Sequence, residues 1–106
     1  MSKKIYLGKL EELENNLPKK FELEEDLQVA LFKCDGNFYA IDDLCSHDDA
    51  SLAEGDVEGC EVVCPLHGAK FDIKTGKNLT LPAVRPVKSY PVLVEDGLVY
   101  IQVEED

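Results

Sequence analysis

Both histidines of the chain and three of its four cysteines lie in one stretch, "CSHDDASLAEGDVEGCEVVCPLHGAKFD", from Cys45 to Asp72. Each imidazole trails a cysteine, as Cys45-Ser46-His47 and then Cys64-Pro65-Leu66-His67. Thiolates and imidazoles at matched spacing are a donor set for a transition metal. Two chemistries compete for it. A structural zinc site of the Cys2His2 kind has its two cysteines close together, followed by its two histidines. Here each arm carries one cysteine and one histidine, and residues 48–63 separate the arms. That distribution suits two nonequivalent irons, one taking both cysteines and the other both histidines. Spacing alone leaves zinc open.

The rest of the chain must hold these arms in place. Its 106 residues are enough for one domain. A domain of this size hides about two-thirds of its unfolded surface, so a bound metal matters to its stability. Acidic residues number 22 against 11 basic ones, a net charge of −11. Phosphate binding requires the opposite balance, which argues against nucleic acid as a partner and against docking on anionic membranes. A protein partner with a basic face is favoured. The start, "MSKKIYLGKL", has no apolar core of a signal peptide, and no apolar run reaches membrane-spanning length. The expected location is the cytoplasm, where thiols stay reduced. Cysteines there point to metal or catalysis before disulfides. Cys34 and Cys60, each in a strand-like run, read as buried thiols packed as small hydrophobes.

Strand signals recur along the chain. In "FELEEDLQVALFKC", Leu27, Val29 and Leu31 alternate on one face, with Phe32 and Cys34 on the other. Asp35-Gly36 then leads into "FYAID", a strong hairpin signal. Further turns are expected at Glu58-Gly59, at Lys74 to Lys77 and at Asp96-Gly97. Leu10, Leu13 and Leu17 have helical spacing before Pro18, which predicts a single turn or small helix. Many short strands separated by turns point to an all-β sandwich or barrel. The expected organisation is a β base, residues 1–42 and 83–106, carrying an inserted subdomain of about residues 43–82 that holds the Cys/His arms.

"CSH" with "CPLHGAKFD" closely resembles the Rieske iron–sulfur family. The likeness is strongest over these motifs and extends through "DGNFYAIDDLCSH" and "LPAVRPVKSYPVLVEDGLVYI". It implies a Rieske-like fold of stacked antiparallel sheets with one [2Fe–2S] cluster at the tip of the inserted subdomain. Cys45 and Cys64 would ligate the inner iron, and His47 and His67 the outer iron near solvent. Residues 81–86, "LPAVRP", correspond to a proline-containing segment that shields the cluster in this family.

The two ligand pairs use every histidine, so none is left for the mononuclear iron of a complete Rieske oxygenase. There is no G-x-G-x-x-G fingerprint for a dinucleotide. A chain with the cluster alone is a one-electron carrier. Where respiratory Rieske proteins carry a disulfide between the cluster loops, this chain has Ala50 and Leu66. Where they carry a serine and a tyrosine that donate to cluster sulfurs, it has Ala69 and Phe71. Without those donors the reduced cluster is less stabilised, and a potential near the low end of the Rieske range, roughly −150 mV, is expected. The resemblance thus points to the ferredoxin of a bacterial aromatic-ring dioxygenase system. It would carry single electrons from a flavin-containing reductase to a terminal oxygenase and would not itself be an enzyme. Asp48, Asp49, Glu54 and Asp56 lie near the first arm and would steer such partners. A redox-sensing module, or an electron-input subunit like the small subunit of assimilatory nitrite reductase, remains open.

Overall fold

The computed structural model describes residues 2–23, 27–44, 50–65, 68–81 and 85–104. Among them the strands are β1 (Ser2–Lys9), β2 (Lys19–Glu22), β3 (Gln28–Cys34), β4 (Asn37–Asp42), β5 (Asp56–Glu58), β6 (Glu61–Val63), β7 (Lys70–Asp72), β8 (Ser89–Tyr90), β9 (Val92–Glu95) and β10 (Leu98–Glu104). The helical expectation is met by one turn, α1 (Leu10–Leu13), which buries Leu13. Three antiparallel sheets result, in the orders β1-β10-β9, β2-β3-β4-β8 and β5-β6-β7.

The middle sheet explains the stacking. Along β3, Ala30, Phe32 and Cys34 enter one apolar core, while Val29 and Leu31 enter another. In β4, Ile41 joins the first core and Ala40 the second. Period-two alternation therefore makes this sheet a wall between two interiors, with no face left for solvent along most of β3. One core is completed by Val99 and Ile101 of β10, the other by Val62 of β6 and Phe71 of β7. Each fully buried Val, Leu, Ile or Phe side chain contributes about 1.5–3 kcal/mol. The all-β, stacked-sheet fold expected from the sequence is the fold observed.

Two of the expected hairpins fall on the expected residues. Asp35 (φ 51°) and Gly36 (φ 80°) close β3 onto β4, and Asp96 (φ 51°) and Gly97 (φ 75°) close β9 onto β10. Paired positive φ angles are the demand of a type I′ turn, which Asp-Gly meets. The β5–β6 turn differs by one residue from expectation. Glu58 pairs with Glu61, so the loop residues are Gly59 (φ 63°) and Cys60. Glycine thus takes the first loop position, where a type II′ turn requires it.

Candidate metal centre

The first arm leaves the middle sheet directly after β4. Asp43 is fully buried there. Its backbone N–H donates to Gln28 O at 3.0 Å, and its carbonyl accepts from Leu52 N–H at 2.7 Å. Its carboxylate Oδ1 accepts from Ser51 Oγ and from Ala53 N–H, both at 2.9 Å. The other oxygen, Oδ2, has no hydrogen-bond partner and lies 3.9 Å from Lys20 Nζ. Leu44 and Ser51 form an antiparallel bridge across the same place. That bridge sets Leu44 and Ser51, on either side of residues 45–49 of the arm, next to each other. Cys45, His47, Asp48 and Asp49 belong to that arm and lie outside the described residues.

The second arm follows β6. Cys64 is 1% exposed, and its N–H donates to Ala69 O at 2.7 Å. This bond closes a short loop in which Gly68 has φ 70°. His67 and Leu66 lie outside the described residues. Ala69 and Phe71, the two positions without a hydroxyl, are fully buried beside Cys64 in one apolar core.

The arms are joined at their roots. Ala50 and Leu52 from the first arm share that core with Cys64, Ala69 and Phe71 from the second. A single 3₁₀ turn, Leu52–Glu54, ends the first arm at Gly55. A Cβ at Gly55 would sit 1.9 Å from the carbonyl oxygen of Val63, the residue before Cys64. Only glycine permits this approach, and it places the exit of one arm against the entry of the other. Beyond β7, Thr80 Oγ1 accepts from Lys70 N–H at 2.9 Å, and Leu79 N–H donates to Lys70 O at 2.8 Å. These bonds start the "LPAVRP" segment next to the second arm. Leu81, its first residue, is 77% exposed, and residues 82–84 are outside the described set.

The donor chemistry fits an iron–sulfur cluster. A cysteine sulfur in apolar surroundings is a poor site for a bare thiolate, and coordination supplies the missing positive charge. Asp43 and Ser51 are contributions that reading by residue type missed. Asp42 and Asp43 are adjacent and alike in sequence, but only Asp43 turns fully inward. Asp42 instead accepts from Tyr90 Oη at 2.5 Å and from Lys88 N–H at 3.1 Å. Burial, and next the hydrogen bond to Asp42, push the Tyr90 phenol well above its ordinary pKa.

One expectation is overturned. Cys34 and Cys60 are not two separately packed thiols. They form a disulfide, with a Cα–Cα separation of 5.6 Å. The β3–β4 hairpin tip and the β5–β6 turn converge, although 26 positions separate the two residues in sequence. Strand-by-strand reading has no signal for such a meeting.

A model of the Rieske [2Fe-2S] domain matches residues 3–91. The 3-phenylpropionate/cinnamic acid dioxygenase ferredoxin subunit of Photorhabdus laumondii is 48% identical over 103 residues, covering 96% of each chain. Among solved structures, the ferredoxin of carbazole 1,9a-dioxygenase from Nocardioides aromaticivorans has a TM-score of 0.84 at 32% identity, covering 92% of this chain and 95% of that one. A chain from the complex of reduced oxygenase and oxidised ferredoxin in carbazole 1,9a-dioxygenase has a TM-score of 0.85 at 27% identity, covering 97% and 95%. With the family model spanning most of the chain and the two arms rooted side by side in one core, the protein belongs to the Rieske [2Fe–2S] family.

Proposed function

We propose that this protein is a low-potential Rieske ferredoxin that carries single electrons from a flavin-containing reductase to the terminal oxygenase of a dioxygenase system. The observation that carries this reading is the near full-length similarity to a dioxygenase ferredoxin subunit. Cys45 and Cys64 would hold one iron of the cluster, and His47 and His67 the other. Residues of about 43–82 form the cluster-binding subdomain on a base of residues 1–42 and 83–106.

When bound, the cluster supplies reversible one-electron chemistry. This chain's residues set its terms. Asp43 and Ser51 fix the mouth of the first arm, and the Cys64–Ala69 bond fixes the second. Ala69 and Phe71 offer no hydroxyl to a cluster sulfur, which keeps the potential low. Glu54 and Asp56 are exposed at the exit of the first arm and present negative charge to a basic partner surface. No helix among the described residues is long and apolar enough to cross a membrane.

Two measurements test the proposal. Iron and acid-labile sulfide analysis with EPR of the reduced protein should give two of each per chain, as a [2Fe–2S] cluster requires, and a rhombic signal of low average g. Colourless protein holding one zinc would overturn it. Reconstitution with candidate reductases and oxygenases should then couple NADH consumption to product. His47→Ala or His67→Ala should lose the cluster and that coupling.

A further inference from the structure

The Cys34–Cys60 pair stands apart from the four proposed ligands, and nothing in one-electron transfer uses it. Cys34 ends β3 and is 6% exposed, inside the core that also holds Cys64, Ala69 and Phe71. Cys60 is the second residue of the β5–β6 turn and is partly exposed. The two residues thus differ in access, Cys60 partly exposed at the edge of that core and Cys34 sheltered within it. The Cα–Cα distance of 5.6 Å is the commonest for a disulfide, so closure needs no backbone movement. The carboxylate of Asp35, next to Cys34 in sequence, lies 3.5 Å from Cys60 Sγ and 3.2 Å from Lys74 Nζ. A proton acceptor and a compensating cation therefore sit at the Cys60 sulfur. The bond would join the second sheet to the third. The first ligand arm lies wholly within the loop it closes, and Cys64 follows shortly after that loop.

We propose that Cys34 and Cys60 are a reversible dithiol–disulfide site, exchanging with low-molecular-weight thiols, whose oxidation clamps the roots of both ligand arms. For oxidation, the Cys60 thiolate attacks one sulfur of a small disulfide RSSR and expels one thiolate. The Cys34 thiolate then attacks Cys60 Sγ, forming the Cys34–Cys60 bond and expelling the second. The two cysteine protons leave with the two RS⁻ as two RSH, and RSSR takes both electrons. Reduction is the reverse, beginning with attack of a small thiolate on the partly exposed Cys60 sulfur. Closing the loop removes freedom from the opened chain, so loss of iron by local opening slows. The clamp rests on the cluster reading given above, but the thiol chemistry does not.

The test uses the cluster-loaded protein, equilibrated without oxygen at graded ratios of reduced to oxidised glutathione. Differential alkylation and peptide mass spectrometry read each cysteine, and visible absorbance reads the cluster. Cys34 and Cys60 should change state together, in one two-electron step, with the absorbance retained. Iron release to a chelator should be roughly tenfold faster from the reduced pair. Cys34→Ala and Cys60→Ala should each release iron at the reduced rate whatever the glutathione ratio. Alkylation of both residues in excess oxidised glutathione, or resistance of both in excess reduced glutathione, would overturn the exchange site. Equal iron release from the two forms would overturn the clamp. Absence of any cluster, with the thiol step intact, would instead count against the ferredoxin reading.

Discussion

Ser51 Oγ donates to Asp43 Oδ1 at 2.9 Å across the mouth of the first ligand arm. The same oxygen takes the Ala53 N–H at 2.9 Å, so one buried carboxylate holds both the start and the return of the arm. Removing it strands a part-buried hydroxyl and a part-buried backbone N–H, each costing at most about 1–3 kcal/mol. Asp43→Ala should therefore lower thermal stability and the iron retained per chain. Ser51→Ala removes one bond only and should cost about 0.5–1.5 kcal/mol. Thermal melts with iron analysis check this, and full iron retention in Asp43→Ala would refute the role.

Redox tuning should respond at two buried positions. Ala69 and Phe71 are fully buried and share a core with Cys64. On the proposed ligand set a hydroxyl at either position would face a cluster sulfur, and reduction adds negative charge that strengthens such a bond. If the two redox states differ by about 1–2 kcal/mol in that bond, the midpoint rises by roughly 40–90 mV. Ala69→Ser should raise the potential in protein-film voltammetry. Ala69→Ser combined with Phe71→Tyr should raise it further and slow delivery to a low-potential oxygenase. An unchanged midpoint in a folded double variant contradicts the hydrogen-bond account.

Alkaline stability should depend on Tyr90. Its pKa is raised in the folded chain, first by burial and then by the bond to Asp42. The ordinary value is 10.0, so below that pH the phenol is protonated whether the chain is folded or not, and its contribution is fully present. As pH rises past it, the unfolded chain releases the proton while the folded chain keeps it, and the contribution is progressively lost. Tyr90→Phe should be less stable than the parent near neutral pH by about 1.5–3 kcal/mol, the worth of a hydrogen bond to a charged group. Its stability should also fall less steeply above about pH 10, by one proton's worth of slope. Denaturant titrations across that range decide the matter, and parallel slopes would be the contrary result.

Partner docking should be sensitive to ionic strength. Glu54 and Asp56 are exposed at the first arm's exit in a chain of net charge −11. Screening over about 8 Å at physiological salt should slow electron delivery as salt rises. Glu54→Lys with Asp56→Lys should lower the rate at low salt and flatten its salt dependence in stopped-flow mixing. A salt profile identical to the parent's would mean these carboxylates are only solvated.

How far the structure was legible depended on the range of the interaction. Asp35-Gly36 and Asp96-Gly97 were readable because positive φ is a local demand that Asp-Gly meets. The two faces of β3 were readable because Leu27, Val29 and Leu31 alternate with Phe32 and Cys34. The β5–β6 turn was misplaced by one residue, since "VEGCEV" supports more than one pairing and register is set by the packing of Val62 against the core. The inward turn of Asp43 was not legible, because Asp42 beside it is chemically identical and only the fold separates them. The joining of Cys34 to Cys60 was hidden for the same reason. It depends on two hairpin tips meeting in space, and neither hairpin carries a local mark of the other.

The double-sided burial of β3 bears on which sequence changes this lineage can tolerate. Val29 and Leu31 serve one interior while Ala30, Phe32 and Cys34 serve the other. Deleting or inserting a single residue in this strand would exchange the two inventories, setting small residues where large ones fit and the reverse. It would also withdraw Cys34 from Cys60. Length changes should therefore accumulate in the turns and arms, while β3 accepts point substitutions only and acts as the frame against which the loops are free to diverge.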